Sequence, residues 1–460
     1  MKKIILAIAL LILNSGVNAQ NFAGSWYGNL NMQSINLRVV FNISQTDSLY
    51  TATMDSPDQG VTGIPVTSVS FNNPMVKIVI ANASVEYTGV FTGESILGTF
   101  RQGSMSLPMN LSRRAPAGPK RPQEPRKPYP YTTEDVTFLN AKDSIELSGT
   151  LTMPSTGKPS AAVILISGSG PQNRDEEILG HKPFLVISDY LTKRGIAVLR
   201  YDDRGVGKSK GNHATATTFD FAQDTYSAVQ FLRSREEFND IKIGLIGHSE
   251  GGIIAPLVAN MDDKLGFVIL MAAPGVTGAE IILFQQRLSG ERSGLDAASL
   301  DEFEKITREL HSIIAREKNN PDMKKILMDF FKLNAPEATE KQLESQIYAV
   351  ANPWMVTFLT YDPSDALKKL TLPVLAMNGS NDMQVPAKTN LSAIRESLMK
   401  AHGNNLDSFS KVVEIVEFPG LNHLFQHSET GNTTEYQKIE ETISPEVMEK
   451  MASWIISKSK

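Results

Sequence analysis

The sequence predicts a doubly wound α/β domain, built on a mostly parallel eight-stranded sheet with a helical cap inserted into it, behind a small all-β domain. Three observations carry this expectation. From residue 131 onward, apolar runs of strand length alternate with amphipathic segments of helix length. Residues 275–372 break that rhythm once, with helical periodicity alone. Residues 22–113 instead alternate with period two between turns rich in glycine and asparagine.

The eight strands are expected at 134–141, 145–152, 161–167, 196–201, 241–246, 267–272, 373–378 and 411–417. Ala161 to Ile166 is apolar at every position, which suits a parallel strand covered on both faces. Segments near 183–194, 217–234, 251–261 and 386–401 supply the crossover helices. The cap is expected at about 276–371, where Phe303, Ile306, Leu310, Ile313 and Ile314 recur at helical spacing. An insertion there covers the C-terminal edge of the sheet, the edge at which open α/β sheets bind ligands.

In the all-β domain, 20–113, Ile35, Leu37, Val39, Phe41 and Ile43 share one strand face. So do Val76, Ile78 and Ile80, and Met105, Leu107, Met109 and Leu111, giving a small barrel or sandwich. Residues 114–130 hold six prolines, and proline at this density favours an extended spacer, marking a domain boundary. At the other end, Lys2 and Lys3 precede an apolar run from Ile4 to Leu13 and the small residues Val17-Asn18-Ala19. Residues 1–19 are therefore expected to be a cleaved signal peptide, too short to span a bilayer, which needs about 20 apolar residues. A soluble periplasmic or extracellular protein starting near Gln20 follows.

The net charge of −5 argues against a nucleic-acid partner. With no cysteine, disulfides, thiolate zinc sites, iron–sulfur clusters and cysteine nucleophiles are excluded. No spaced cluster of histidines and carboxylates suggests a metal, and no cofactor is expected.

The motif that carries chemistry is Gly247-His248-Ser249-Glu250-Gly251, between an expected strand and an expected helix. In that context the turn projects the serine oxygen above the sheet edge. A serine nucleophile needs a base and a carboxylate that orients the base. Asp382 follows the seventh strand and His423 the eighth, so both reach the same edge as Ser249. Asp362 and Asp365 precede the seventh strand, and His427 replaces His423 only if the loop register differs. His248 is expected to point away from Ser249 and to pack or shape the substrate site. Oxyanion donors are expected from the backbone N–H of Glu250 and from the small-residue loop after the third strand, at Ser169 with Gly170 next. Gly205-Val206-Gly207-Lys208-Ser209 has Asp202 where a phosphate loop needs its first glycine. Asp202, Asp203 and Arg204 are read as a hydrogen-bonded turn, and Asp220 as a helix cap with Thr217.

On Gly168-Ser169-Gly170-Pro171-Gln172-Asn173-Arg174-Asp175, Arg200-Tyr201-Asp202-Asp203-Arg204-Gly205, Gly247 to Gly252, Gly379 to Asp382 and Asn422-His423, the chain resembles bacterial α/β-hydrolase esterases with an N-terminal β-domain and a helical cap. The resemblance covers 131–460. It implies carboxylesterase activity on short to medium acyl esters without a cofactor, with Ser249 as nucleophile, His423 as general base and acid, and Asp382 as orienting carboxylate. Phe284, Trp354, Phe358 and Tyr361 of the cap are candidates to line the substrate pocket, with ordinary cap packing an equal alternative for each. A peptidase or amidase related to prolyl oligopeptidases, and a catalytically inactive ligand-binding protein, are the other readings.

Overall fold

The structure is a computed structural model that describes residues 22–32, 35–47, 49–59, 61–103, 105–115 and 120–459. The expected signal segment lies outside the described residues. The chain divides into two compact units, 1–117 and 118–460, and the division falls inside the proline-rich stretch.

The first unit has strands β1 (Gly24–Met32), β2 (Ile35–Thr46), β3 (Leu49–Ser56), β4 (Val61–Pro65) and β5 (Ser68–Asn72). It continues with β6 (Met75–Ile80), β7 (Val85–Phe91), β8 (Ser95–Gln102), β9 (Met105–Pro108) and β10 (Leu111–Ser112). They form one antiparallel sheet in the order β4-β3-β2-β1-β10-β8-β7-β6-β5, with β9 on β8. The order ends at β4 and β5 without closing, so the sheet is a half-barrel. Period two works as expected in β6, where Val76, Ile78 and Ile80 are buried while Met75 and Lys77 are exposed. Trp26, Phe41, Tyr87 and Ile96 fill the same core, with Phe22 stacked on Phe71 at 4.3 Å. The expected single strand at 105–111 is divided into β9 and β10, because Gly98 N–H of β8 donates to the Asn110 side chain at 3.3 Å, although Met109 N–H still donates to Gly98 O at 2.9 Å.

The second unit is built on β11 (Tyr131–Asn140), β12 (Ile145–Pro154), β13 (Ala161–Ile166), β14 (Ile196–Tyr201), β15 (Ile243–His248), β16 (Phe267–Met271), β17 (Val374–Gly379) and β18 (Val413–Phe418). Their order is β11-β12-β14-β13-β15-β16-β17-β18. Strands from β13 onward pair in parallel, and β11 and β12 form the antiparallel edge. This is the α/β-hydrolase fold. Crossover helices α1 (Pro183–Thr192), α2 (Thr218–Arg233) and α3 (Gly251–Ala259) cover the two faces of the sheet.

Between β16 and β17 stand the cap helices α4 (Gly278–Arg292), α5 (Ala297–Glu317), α6 (Met323–Asn334), α7 (Glu340–Ala351) and α8 (Pro353–Thr360). They share a small core of Ile314, Leu327, Phe330, Ile347 and Leu359. Of the periodic series that marks the cap in the sequence, Ile313 and Ile314 are buried, but Phe303 is 56% exposed. α9 (Ser364–Leu367) precedes β17, α10 (Ala387–Ala401) and α11 (Leu406–Val412) lie between β17 and β18, and α12 (Thr433–Tyr436) and α13 (Pro445–Ser459) follow β18.

Three of these helices, α11, α12 and α13, fall outside the sequence expectations. Asn405 caps α11 by accepting from Ser408 N–H at 3.0 Å, so the helix claims 411–412 and the last strand starts at Val413. α13 lays Val447, Met448, Met451 and Ile455 against the sheet. Residues 120–130 are tied to the same unit, with Arg121 donating to Leu179 O and Ile439 O and Gln123 to Ile443 O.

Phe267 is fully buried, stands edge-on to Trp454 at 5.8 Å and occupies the space left by Gly244, where a Cβ would lie 2.1 Å from its ring. Phe267→Ala is expected to destabilise this unit by about 3–5 kcal/mol. Denaturant unfolding followed by helical circular dichroism, to which the all-β unit contributes little, checks the value.

Candidate active site

β15 ends at His248 and α3 starts at Gly251, leaving two residues to reverse the chain. Ser249 takes a φ of 53°, a left-handed conformation that costs a residue with a side chain about 1–3 kcal/mol. Its N–H donates to Met271 O at 2.8 Å, fixing the turn to the end of β16. A Cβ on Gly247 would lie 2.0 Å from Gly251 O, and one on Gly251 would lie 2.2 Å from Ile166 O. Only glycine fits at either position. A Cβ on Gly168 would come within 3.2 Å of Ser249 Cβ, so the loop after β13 stands directly beside Ser249.

The loops after β17 and β18 are joined before either supplies a functional side chain. Ser380 N–H donates to Phe418 O and Asn381 N–H to Leu421 O, both at 2.9 Å. Asp382 Oδ1 accepts from Gln384 and Val385 N–H at 2.8 Å each, and its Oδ2 lies 2.7 Å from His423 Nδ1. A carboxylate oxygen only accepts, so the contact places a proton on Nδ1 of the His423 ring. Asn422 Oδ1 accepts from Leu424 and Gln426 N–H, which sets the loop carrying His423. The competing histidine, His427, is 62% exposed and pairs with Glu441. Asp362 accepts from Ser364 N–H and Asp365 pairs with Lys368.

The loop holding Ser169 and Gly170 is pinned from below. Asp203 accepts from Ser167 Oγ at 2.7 Å and from Gln172 N–H at 2.9 Å. Burial, with smaller contributions from the charges of Glu250 and Glu176, pushes its carboxyl well above the usual range against these hydrogen bonds. Gly168 N–H is committed to Glu176 Oε1 at 2.8 Å, which leaves Ser169 and Gly170, between the pins, as the small residues of this loop. Asp202 holds Arg174 at 2.7 Å and accepts from Lys208 N–H. Ser209 Oγ turns inward to Asp202 O. The Gly205–Ser209 stretch is thus a structural turn. Asp220 accepts from Thr217 N–H at 2.8 Å, the expected cap of α2.

Two interactions went unseen in the sequence. Glu250 sends its side chain into the cap junction, accepting from Thr218 Oγ1 at 2.6 Å and Trp354 Nε1 at 2.9 Å. His248 Nδ1 meets Glu176 Oε1 at 2.8 Å, and its Nε2 lies 3.0 Å from His423 O. Both partnerships span long sequence separations that no local pattern marks.

Of the candidate pocket residues, Trp354 is stacked on Phe358 at 5.2 Å, and Tyr361 packs edge-on against Phe219 at 5.4 Å. Phe284 lines a cleft of about 250 Å³ with Ile281, Pro386 and Thr389, whose walls include none of Ser249, Asp382 and His423. Among the described residues, no group of three or more His, Asp or Glu is placed to hold a metal, and no helix is long and apolar enough to cross a membrane.

The fold, with a serine on a strand–helix elbow and a histidine–carboxylate pair at the same sheet edge, is that of a hydrolase. Residues 181–423, more than half of the chain, match the family described as Serine aminopeptidase, S33 (Hydrolase_4), and the chain belongs to that family. It is 28% identical over 330 residues to esterase EstD of Thermotoga maritima, covering 72% of this chain and 68% of that protein. It is 33% identical over 139 residues to the uncharacterized protein YfhR of Escherichia coli K12, covering 30% of this chain and 44% of the relative. Among solved structures, it is similar to an esterase of Pyrococcus furiosus, with a TM-score of 0.44, 14% identity and coverage of 75% of this chain and 100% of that one. The proline iminopeptidase of Mycobacterium smegmatis gives a TM-score of 0.42 and 16% identity, with coverage of 71% and 99%.

Burial raises the Glu250 carboxyl above its ordinary 4.5, outweighing the hydrogen bonds from Thr218 and Trp354. The folded state therefore binds this proton more tightly than the unfolded chain, and stability falls as pH rises from the unfolded to the folded value. Glu250→Gln keeps an acceptor for both partners and removes the titration. Its stability relative to the wild-type protein is expected to be flat below about pH 4.5, then to rise with pH and level off. Thermal melts over that range check the sign.

Proposed function

We propose that this protein is an exported carboxylesterase-type serine hydrolase that works through an acyl-enzyme on Ser249. The observation that carries the reading is the 2.7 Å contact between Asp382 Oδ2 and His423 Nδ1, at the sheet edge where the elbow presents Ser249. Export is supported by Lys2-Lys3, the apolar run Ile4–Leu13 and the small residues before Gln20.

In this mechanism His423 Nε2 takes the Ser249 proton as Oγ attacks the ester carbonyl. The negative charge on the tetrahedral oxygen is met by the backbone N–H of Glu250 and by that of Ser169 or Gly170. The carbon–oxygen bond of the leaving alcohol then breaks, and the alcohol departs with the proton from His423. Water, activated by the same nitrogen, attacks the acyl carbonyl and releases the acid with Ser249 restored. Asp382 holds the ring in the tautomer the cycle needs. Trp354, Phe358 and Tyr361 offer apolar surface for a short or medium acyl chain. EstD, an esterase, supports the choice of ester bonds. The family description favours a second reading, release of an amino-terminal residue from a peptide.

A p-nitrophenyl ester series from acetate to palmitate, beside a panel of aminoacyl p-nitroanilides, separates the two. Ester turnover with a short to medium optimum is expected. Ser249→Ala should lower kcat by at least about 10⁴-fold, and Asp382→Asn by about 10⁴-fold through the wrong tautomer. Turnover confined to the anilides would replace the esterase reading with the peptidase one.

A further inference from the structure

His248 is fully buried directly before Ser249, and its hydrogen bonds fix how many protons it carries. Nε2 lies 3.0 Å from the main-chain oxygen of His423. A carbonyl only accepts, so Nε2 holds a proton. Nδ1 lies 2.8 Å from Glu176 Oε1, an oxygen that also accepts from Gly168 N–H at 2.8 Å. An oxygen already accepting is poorly placed to be the hydroxyl of a carboxylic acid, so the second proton also sits on the ring.

We propose that Glu176 and His248 form a permanent imidazolium–carboxylate clamp that ties the Gly168 loop to the His423 loop and positions both around Ser249. This deepens the serine hydrolase reading and rests on it. The clamp reaches from the loop after β13, through the last residue of β15, to the loop after β18. It therefore sets the distance between the elements that flank the nucleophile. Burial opposes the charge on His248, but the charge and hydrogen bond of Glu176, the His423 carbonyl and the more distant Asp382 outweigh it and raise the ring above its ordinary value. The groups facing the ring are thus Glu176, His423 and Asp382.

The clamp has an electrostatic consequence besides the geometric one. The His248 and His423 rings are 4.8 Å apart between centroids, while Glu176 lies beyond the opposite nitrogen of His248. A cation on the near side opposes a second positive charge on the neighbouring ring. Glu176 and His248 touch no reacting atom in this account, so they are positioning residues.

Glu176→Gln separates the charge from the tie. The amide oxygen can still accept from Gly168 N–H, and the amide nitrogen can donate to a neutral His248 whose Nε2–H still reaches His423. Nitrogen-15 NMR of histidine-labelled full-length protein, with His248 assigned by its loss in His248→Gln, counts the ring protons directly. Two bonded ring protons at pH 8 are expected in wild-type protein and in Ser249→Ala, and one in Glu176→Gln. The acid limb of kcat/KM for a p-nitrophenyl ester should move up by about one pH unit in Glu176→Gln, the net of two opposed charges at an effective dielectric near 20. KM should change far less than kcat at low pH. A single ring proton on wild-type His248 at pH 8, or a Glu176→Gln profile superimposable on the wild type, overturns the clamp. Ester turnover that survives Ser249→Ala would instead remove the catalytic reading, with the ring-proton count still deciding the ion pair.

Discussion

Between Ile246 and Ile253 the chain reverses from strand to helix in so little space that backbone meets backbone. The carbonyl of Gly251 stands where a Cβ of Gly247 would be, and that of Ile166 where a Cβ of Gly251 would be. Ser249 is held left-handed at the apex by Met271 O. Everything else at the sheet edge is arranged around this fixed point. The loop after β13 passes beside it at Gly168, and the loop after β18 reaches His248 through the His423 carbonyl. Strain of this kind persists only where the surroundings over-determine it, and here they are the central parallel strands, buried at every position.

The same edge concentrates buried acidic groups. Asp203, Glu250, Glu176 and Asp382 are all nearly inaccessible, and each charge removed from water costs several kcal/mol unless it is met by partners. Each is met differently. Asp382 is met by two backbone N–H groups and a histidine, Asp203 by the Ser167 hydroxyl and Gln172 N–H, Glu176 by a histidine and Gly168 N–H, and Glu250 by Thr218 and the cap tryptophan. Such groups stabilise little on balance. Their use is geometric, because one arrangement satisfies all of them and displaced loops satisfy few. The cap shares in this through Trp354, so the residue after Ser249 couples the sheet edge to α8.

How much of this was legible follows from the range of each interaction. Ala161–Ile166 and the pentapeptide at 247–251 are local signals, and the parallel sheet and the elbow follow from them. Asp382 and His423 were placed because each ends a strand, and strand ends of a parallel sheet meet at one edge. The failures have local causes too. Asn405 caps a helix that shortens the last strand, and the Asn110 side chain takes the Gly98 N–H of the neighbouring strand. Phe303 keeps helical phase with Ile313 and Ile314 yet is exposed, on the wall of a cleft it shares with Leu283, Leu295 and Leu300. Glu176 with His248, and Glu250 with Trp354, were not readable at all. Their partners lie 72 and 104 residues apart, and only the folded edge brings them together. For His248 the sequence suggests a side chain that points away from Ser249 and packs or shapes the substrate site, and its hydrogen bonds to Glu176 and the His423 loop come only with the fold.

The proposed mechanism requires Ser249 to be the activated oxygen. Its most direct test is reaction of the full-length protein with a p-nitrophenyl phosphonate, followed by intact mass and peptide mapping. One phosphonyl adduct per chain is expected, on the peptide carrying Ser249, with p-nitrophenolate released in equal amount and no adduct on Ser249→Ala. An adduct on another residue, or labelling of Ser249→Ala as complete as that of the wild-type protein, would contradict it.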